Sequence, residues 1–146
     1  LSNDGKFTVN DTVLSKLQNV FYGACCDDNG TLETINKTFG EYGYLCDTHT
    51  AVAVNAYEQY VEKTGDNRPV LIASTASPYK FAKSVLSALS DDIPESEFDT
   101  VDALSNLTNT QVPIPIAELK NATARFKDVY EKQDMYSAVC KCLKID

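Results

Sequence analysis

The sequence predicts an α/β fold in which helices pack on a short parallel sheet. Most segments repeat their apolar residues every three or four positions, which is the spacing of a helix with one buried face. The run Val70–Ala73 is instead short, continuous and rich in β-branched residues, as in a strand covered on both faces. A helix predicted soon after this run completes the strand–turn–helix order typical of a parallel sheet.

The first predicted elements are a short strand and two amphipathic helices. The strand covers Lys6–Val9, and Asn10 or Asp11 then caps the first helix. Four apolar residues at helical spacing give this helix one buried stripe: Val13, Leu14, Leu17 and Val20. A second helix is predicted from Thr31. It is expected to end near Gly40 or Gly43, because glycine commonly follows a helix C-terminus.

The middle of the chain is predicted to alternate between helix and strand. A helix over Thr50–Lys63 is apolar on nearly every face of its first two turns, which predicts that it is buried. The predicted strand Val70–Ala73 follows after a loop. Ser77 then places a capping hydroxyl before Pro78 at the first helical position, so another helix is expected there.

The last third of the chain is predicted to contain two helices and two extended segments. Pro94–Glu97 begins a helix whose apolar residues are spaced by three. Val112–Pro115 is expected to be extended because each proline restricts the residue before it. Arg125–Tyr130 alternates partly like a strand, and Gln133–Leu143 has helical spacing. No repeat or internal boundary is visible, so residues 1–146 are predicted to form a single α/β unit.

Charge and hydropathy disfavour two classes of partner. The chain has 13 Lys and Arg residues against 21 Asp and Glu residues, a formal net charge of −8. Such a surface repels nucleic-acid backbones and anionic lipid heads, so neither is expected as a partner. The longest apolar runs are only a few residues long, far short of the roughly 20 needed to span a bilayer.

The cysteine pattern predicts neither a disulfide framework nor a metal site. Five cysteines occur with no Cys-x-x-Cys pair, and the chain has a single histidine, His49. No metal ligands are therefore assigned. Free thiols that pack as small hydrophobic residues are expected, which is typical of a cytoplasmic protein.

Two polar segments are candidates for ligand contact. Asp47–Ala53 begins a helix, where free backbone N–H groups favour an anion; alternatively Asp47 or Thr48 only caps the helix. Ser74–Phe81 follows the predicted strand, and ligands gather at the carboxyl ends of parallel strands; alternatively its hydroxyls serve only the turn. No nucleophile constellation is predicted, because the chain has one histidine and Asp47 lies too close to it in sequence to count as a remote orienting partner.

Four segments, in order along the chain, resemble the C-terminal part of the threonine synthase family: Phe21–Asp28, Tyr42–Ala53, Thr64–Phe81 and Val112–Pro115. The resemblance implies a fold-type II pyridoxal-phosphate enzyme, a carbon–oxygen lyase of threonine biosynthesis. Such an enzyme converts O-phospho-L-homoserine and water to L-threonine and phosphate by β,γ-replacement. In that family the lysine that forms the Schiff base lies upstream, and no lysine of this chain aligns with it.

The resemblance therefore implies that residues 1–146 are a C-terminal segment of a larger polypeptide that lacks the cofactor-lysine domain. The segment is expected to be inactive alone, to contact the rest of the same polypeptide and to self-associate when isolated. Thr75 matches the hydroxyl that faces the pyridine nitrogen of pyridoxal 5'-phosphate, and Ser74 is its neighbour at the cofactor. His49 and Thr50 are expected near the substrate pocket. Family members often have histidine where this chain has Ser77, so no histidine role transfers there.

Two alternatives to this reading stay open. The chain could belong to another fold-type II enzyme, similar to threonine dehydratase or cysteine synthase. It could also be a free-standing module that has kept the scaffold without its catalysis and serves as a partner or regulatory domain.

Overall fold

A computed structural model describes residues 5–145, and within them the protein is helical. Residues 1–4 and 146, which the predicted single unit includes, lie outside the described part. The α-helices are α1 (Asp11–Gln18), α2 (Asp28–Tyr42), α3 (Thr48–Thr64), α4 (Ala82–Ser87), α5 (Glu97–Thr108), α6 (Ile114–Leu119) and α7 (Met135–Leu143). Two short 3-10 helices precede α4 and α7, at Pro78–Phe81 and Lys132–Asp134.

The predicted α/β class with a short parallel sheet is wrong. No residue between 5 and 145 lies in a β-strand, so Lys6–Val9, Val70–Ala73 and Arg125–Tyr130 are not strands. A strand exists only where a second strand satisfies its backbone N–H and C=O groups. Between residues 5 and 145 no second strand is available to Val70–Ala73, and Leu71 is 99% exposed. Within residues 5–145 this run has the composition of a covered strand but is largely exposed, with only Ile72 partly buried.

The helix ends are set by local hydrogen bonds to capping residues. Asp27 caps α2 by accepting from the backbone N–H of Gly30 at 2.8 Å, so α2 begins three residues before the predicted Thr31. Gly43, at φ 65°, ends α2. A left-handed conformation of this kind is costly for residues with a Cβ, which explains the glycine. Ser96 caps α5 in the same way as Asp27 caps α2.

The proline-rich segment Val112–Pro115 is only half extended, contrary to the prediction. Pro113 is the residue that precedes α6, and Pro115 lies in its first turn. Backbone N–H groups in the first turn have no partner inside the helix, so a proline there costs no hydrogen bond. The proline pattern therefore marks a helix start.

The hydrophobic core lies between α2, α3, the 3-10 helix before α4, α4 and α5. Its fully buried side chains include Ile35, Val85, Leu86 and Leu104. Within the described residues α1, α6 and α7 bury no side chain, so the predicted buried stripe of α1 is wrong. The first turns of α3 are also less buried than predicted, since only Thr50 and Ala51 are buried in that helix.

Threonine side chains form much of the buried polar surface. They lie on α2, α3 and α5: Thr31, Thr34, Thr38, Thr50, Thr100 and Thr108. Four of these hydroxyls donate to the backbone carbonyl four residues earlier, as in the 2.6 Å bond from Thr34 to Gly30 and the 2.7 Å bond from Thr108 to Leu104. Each is buried without an unsatisfied hydroxyl, because the helix itself supplies the acceptor.

Within residues 5–145 no helix combines the length and apolar character that a membrane crossing requires.

Candidate functional site

The candidate site is built around the first residue before α3. Asp47 is the N-cap of this helix and is fully buried. Its Oδ1 accepts from the backbone N–H of His49 at 2.9 Å and also lies 2.9 Å from His49 Nδ1. Its Oδ2 accepts from the Thr50 hydroxyl at 2.5 Å. One buried carboxylate therefore holds the backbone and side chains of the two residues that follow it.

Hydrogen bonding keeps this carboxylate ionised. Burial alone would raise the pKa of Asp47, because it penalises the charged form. The hydrogen bonds from the Thr50 hydroxyl and from the backbone and ring of His49 outweigh burial and lower the pKa of Asp47 below its ordinary value. At neutral pH the Asp47 carboxylate is an acceptor only, so a hydrogen bond between them requires the hydrogen to be on His49 Nδ1.

A chain of hydroxyls links the start of α3 to the turn at residues 74–75. Thr50 Oγ1 lies 3.1 Å from Ser74 Oγ, and the Tyr44 hydroxyl lies 3.4 Å from the same Ser74 oxygen. The Thr50 hydroxyl donates to Asp47 and also lies in donating geometry toward Ser74, and the Tyr44 hydroxyl donates to the same Ser74 oxygen. Ser74 therefore connects Tyr44 to Thr50 and, through Thr50, to the buried carboxylate.

A cavity of about 610 Å³ opens beside His49. The start of α2, the start of α3 and one face of α4 form its walls. Its polar lining includes Cys26, Asp28, Thr48, His49, Ser84 and Ser87. The His49 side chain is 64% exposed, and its ring packs against Phe81 with 4.9 Å between ring centroids. Within residues 5–145 its Nε2 makes no hydrogen bond, in contrast to Nδ1.

Three of the four residues predicted from the sequence share one hydrogen-bonded network. His49, Thr50 and Ser74 all connect to Asp47, directly or through one hydroxyl. Thr50 is buried and its hydroxyl is already engaged, so it supports the site from beneath. Thr75 is exposed, and its hydroxyl makes no hydrogen bond within residues 5–145. The ligand-contacting roles of these four residues stay predictions.

The sequence places Asp47 in a candidate segment and predicts it as a possible helix cap, and the structure confirms the cap. Sequence reasoning missed its contact with the His49 ring, because it considered only orienting partners that are remote in sequence. As an N-cap, Asp47 has extended backbone, with φ −77° and ψ 169°, which turns its side chain back over the first helical turn. There the carboxylate contacts both the backbone N–H and the ring of His49, two residues later. The pattern Asp-x-His-Thr at a helix start is the signal that could have found it.

The cysteines form no site of their own in the described part of the chain. All five are free thiols, and only Cys46 is buried as a small hydrophobic residue. Burial raises the pKa of Cys46, so this thiol is protonated at neutral pH. Among residues 5–145 no three His, Cys, Asp or Glu side chains gather as metal ligands.

Comparison with known proteins relates most of the chain to one family. The family described as threonine synthase, C-terminal, matches residues 50–140. Threonine synthase of Schizosaccharomyces pombe is 38% identical over 88 residues, which are 60% of this chain and 17% of that protein. Threonine synthase of Saccharomyces cerevisiae is 36% identical over 95 residues, 62% of this chain and 18% of that protein. Threonine synthase-like 1 of Homo sapiens is 36% identical over 89 residues, 61% of this chain and 12% of that protein.

Proposed function

The chain belongs to the threonine synthase C-terminal family, and from this membership we propose that it works as the C-terminal segment of a threonine synthase. The chain spans less than a fifth of the length of the relatives named above. The complete protein converts O-phospho-L-homoserine and water to L-threonine and phosphate. The observation that supports this proposal most is the family match over residues 50–140, which includes Thr50, Ser74 and Thr75.

The residues of the 74–75 turn fit the pyridine ring of pyridoxal 5'-phosphate. A ring nitrogen needs one neutral hydrogen-bonding group, and the exposed Thr75 hydroxyl makes no hydrogen bond within residues 5–145. Its neighbour Ser74 is anchored through Thr50 to Asp47, which fixes the turn. Thr75 would hold the ring nitrogen. When bound, the cofactor supplies an electron sink for carbanions formed on the substrate amino acid.

The cavity beside His49 fits the pocket for the substrate. Its wall combines the His49 ring with the hydroxyls of Thr48, Ser84 and Ser87, which can hydrogen-bond a small polar amino acid. Thr50 does not reach the ligand in this proposal; it holds the start of α3 against the turn. The cofactor lysine belongs to the remainder of the polypeptide, so the 146-residue chain has no turnover of its own.

Phosphate release from O-phosphohomoserine tests this function. The complete protein, loaded with pyridoxal 5'-phosphate, is expected to release phosphate and form threonine in equal amounts, and the 146-residue chain is expected to release none. Formation of 2-oxobutanoate, or incorporation of sulfide, in place of phosphate release would assign a different reaction. Release at a normal rate by the chain alone would contradict the assignment as a segment.

Replacing Thr75 tests the cofactor contact. In the complete protein Thr75→Val is expected to shift the cofactor absorbance and to lower kcat about tenfold, which corresponds to about 1.4 kcal/mol, the size of one hydrogen bond. Thr75→Ser is the matched control, because it keeps the hydroxyl and should keep the spectrum. An unchanged spectrum and rate in Thr75→Val would remove this residue from the site.

A further inference from the structure

We propose that Asp47 is a positioning residue for His49, and that it holds the His49 ring as the Nδ1–H tautomer so that Nε2 exchanges protons with a molecule in the cavity. The proton-exchange part of this proposal rests on the proposed function. The tautomer is a property of this chain and can be measured without any substrate.

The geometry of Asp47 exceeds what a helix cap requires. Asp27, the cap of α2, is exposed and accepts one backbone N–H at 2.8 Å. Asp47 is fully buried and accepts from the backbone and ring of His49 and from the Thr50 hydroxyl. Burying a carboxylate is costly unless several donors satisfy it. A serine or asparagine would cap α3 without that cost, so capping alone does not account for a buried charge here.

The His49 ring is held in one orientation. Asp47 Oδ1 lies 2.9 Å from Nδ1, and the Thr48 hydroxyl lies farther away, at 3.5 Å. Phe81 packs against the ring at 4.9 Å between centroids. Turning the ring over would take Nδ1 away from the carboxylate. A hydrogen on Nδ1 leaves Nε2 as the nitrogen with a lone pair, as in other pairs of a carboxylate and a histidine.

With Nδ1 bonded to the buried Asp47, Nε2 is the ring nitrogen left to contact a ligand. His49 lines the cavity and is 64% exposed at its side chain, while Asp47 has no exposed surface. Cys26 and Asp28 from the start of α2 and Ser84 and Ser87 from α4 line the same cavity. None of them is hydrogen-bonded to Nε2 in the described residues.

The proton step balances within these groups. A proton leaves an oxygen or carbon atom of the bound molecule, or the oxygen atom of water. The bonding electron pair stays on the atom that loses the proton. Nε2 gains the proton through its lone pair. The ring then carries a positive charge 2.9 Å from the Asp47 carboxylate, which stabilises it. The reverse transfer returns the proton to the product, so no further reactant is needed.

The single histidine makes the tautomer directly observable. In the chain labelled with ¹⁵N-histidine, at a pH where the ring is neutral, long-range ¹H–¹⁵N correlation shows one imidazole only, because the sequence has one histidine. We expect a protonated Nδ1 and a lone-pair Nε2 in the unmodified chain. Asp47→Ala removes the acceptor of Nδ1–H and is expected to move the ring toward the Nε2–H form. Asp27→Ala, the same change at the cap of α2, is expected to leave the spectrum unaltered.

An Nε2–H tautomer in the unmodified chain would overturn the proposal, whether or not Asp47→Ala folds. An unaltered tautomer in a folded Asp47→Ala chain would overturn it as well. Both results are independent of the proposed reaction. A protonated Nδ1 in a complete protein that releases no phosphate would support the Asp47–His49 pair and remove the proposed reaction.

Kinetics of the complete protein separate positioning from a structural role. Asp47→Asn is expected to lower kcat about a hundredfold, within the range of general acid–base contributions, with little change in KM. In a His49→Gln background the same substitution is expected to cost little further activity, since an asparagine still hydrogen-bonds Thr50 and only the effect on the ring is lost. An equal loss in both backgrounds would show that Asp47 acts by another route and would overturn the proposal.

Discussion

Two aspartates, Asp47 and Asp66, are held as carboxylates by their surroundings. The guanidinium of Arg68 and the hydroxyl of Tyr60, 2.7 Å away, hold the pKa of Asp66 well below its usual range. Asp47 has its pKa lowered by the donors of Thr50 and His49, against the opposing effect of burial. The cluster of Tyr60, Asp66 and Arg68 joins the last turns of α3 to the segment that follows it.

Lowered carboxyl pKa values predict a loss of stability in acid. A group whose pKa is lower in the folded state contributes stability above its unfolded pKa, and that stability is lost as the pH falls through the folded value. The melting temperature, followed by circular dichroism, is therefore expected to fall between about pH 5 and pH 2.

Two substitutions apportion this acid dependence. Asp47→Asn should flatten the decline more than Asp66→Asn, because the Asp66–Arg68 pair is screened by solvent. If the Asp47→Asn chain loses stability in acid as steeply as the unmodified chain, the Asp47 carboxylate is not a source of the dependence.

At the same scale, part of the site could be predicted from the sequence. His49, Thr50 and Ser74 were identified by family resemblance, and they do meet in one network. Asp47, which connects them, could not be found by a rule that asks for distant partners. The rule fails because the extended backbone of a helix cap brings neighbours in sequence into side-chain contact.

At the scale of elements, α5 illustrates how one helix divides its apolar residues. Leu104 is fully buried, whereas Leu107, three positions on, is 51% exposed. Leu104→Ala is expected to lower the free energy of unfolding by about 2–5 kcal/mol, because it removes buried methyl groups and leaves a cavity. Leu107→Ala is the matched control and should cost less than about 1 kcal/mol. Urea denaturation measures the free energy of unfolding of both variants. Equal losses would contradict the assignment of Leu104, and not Leu107, to the core.

Most helix positions were predictable from periodicity and capping, although α6 was missed, but burial was not. The spacing of Val13, Leu14 and Leu17 correctly indicates α1, yet that helix buries no side chain in the described part of the chain. Periodicity tells which face of a helix is apolar, and it carries no information about what covers that face. The strand prediction for Val70–Ala73 was wrong for the same reason. Its composition is that of a covered strand, but composition does not show whether a neighbouring strand exists.

At the scale of the whole molecule, large apolar side chains are exposed on segments away from the core. Leu71 is 99% exposed, Val129 95% and Phe126 87%. Exposed apolar surface of this extent is typical of proteins that associate. The isolated chain is therefore expected to self-associate with rising concentration, as measured by sedimentation velocity.

A single exposed position tests this expectation. Leu71→Asp should weaken self-association without lowering the melting temperature, because Leu71 makes no buried contact that could be lost. Val85→Asp, at a fully buried position, is the contrasting variant and should unfold the chain. A monomeric unmodified chain at high concentration would contradict the expectation.

The buried threonines of α2, α3 and α5 have a consequence for calorimetry. Unfolding raises the heat capacity where it exposes apolar groups and lowers it where it exposes polar groups. In this chain unfolding exposes several buried threonine hydroxyls to water, while many large apolar side chains are already exposed to solvent in the folded state. The heat-capacity increment per residue should fall below the usual value of about 12–15 cal/mol/K. The free energy of unfolding would then change less steeply with temperature. Cooling should lower it less than in a protein whose interior is mainly apolar.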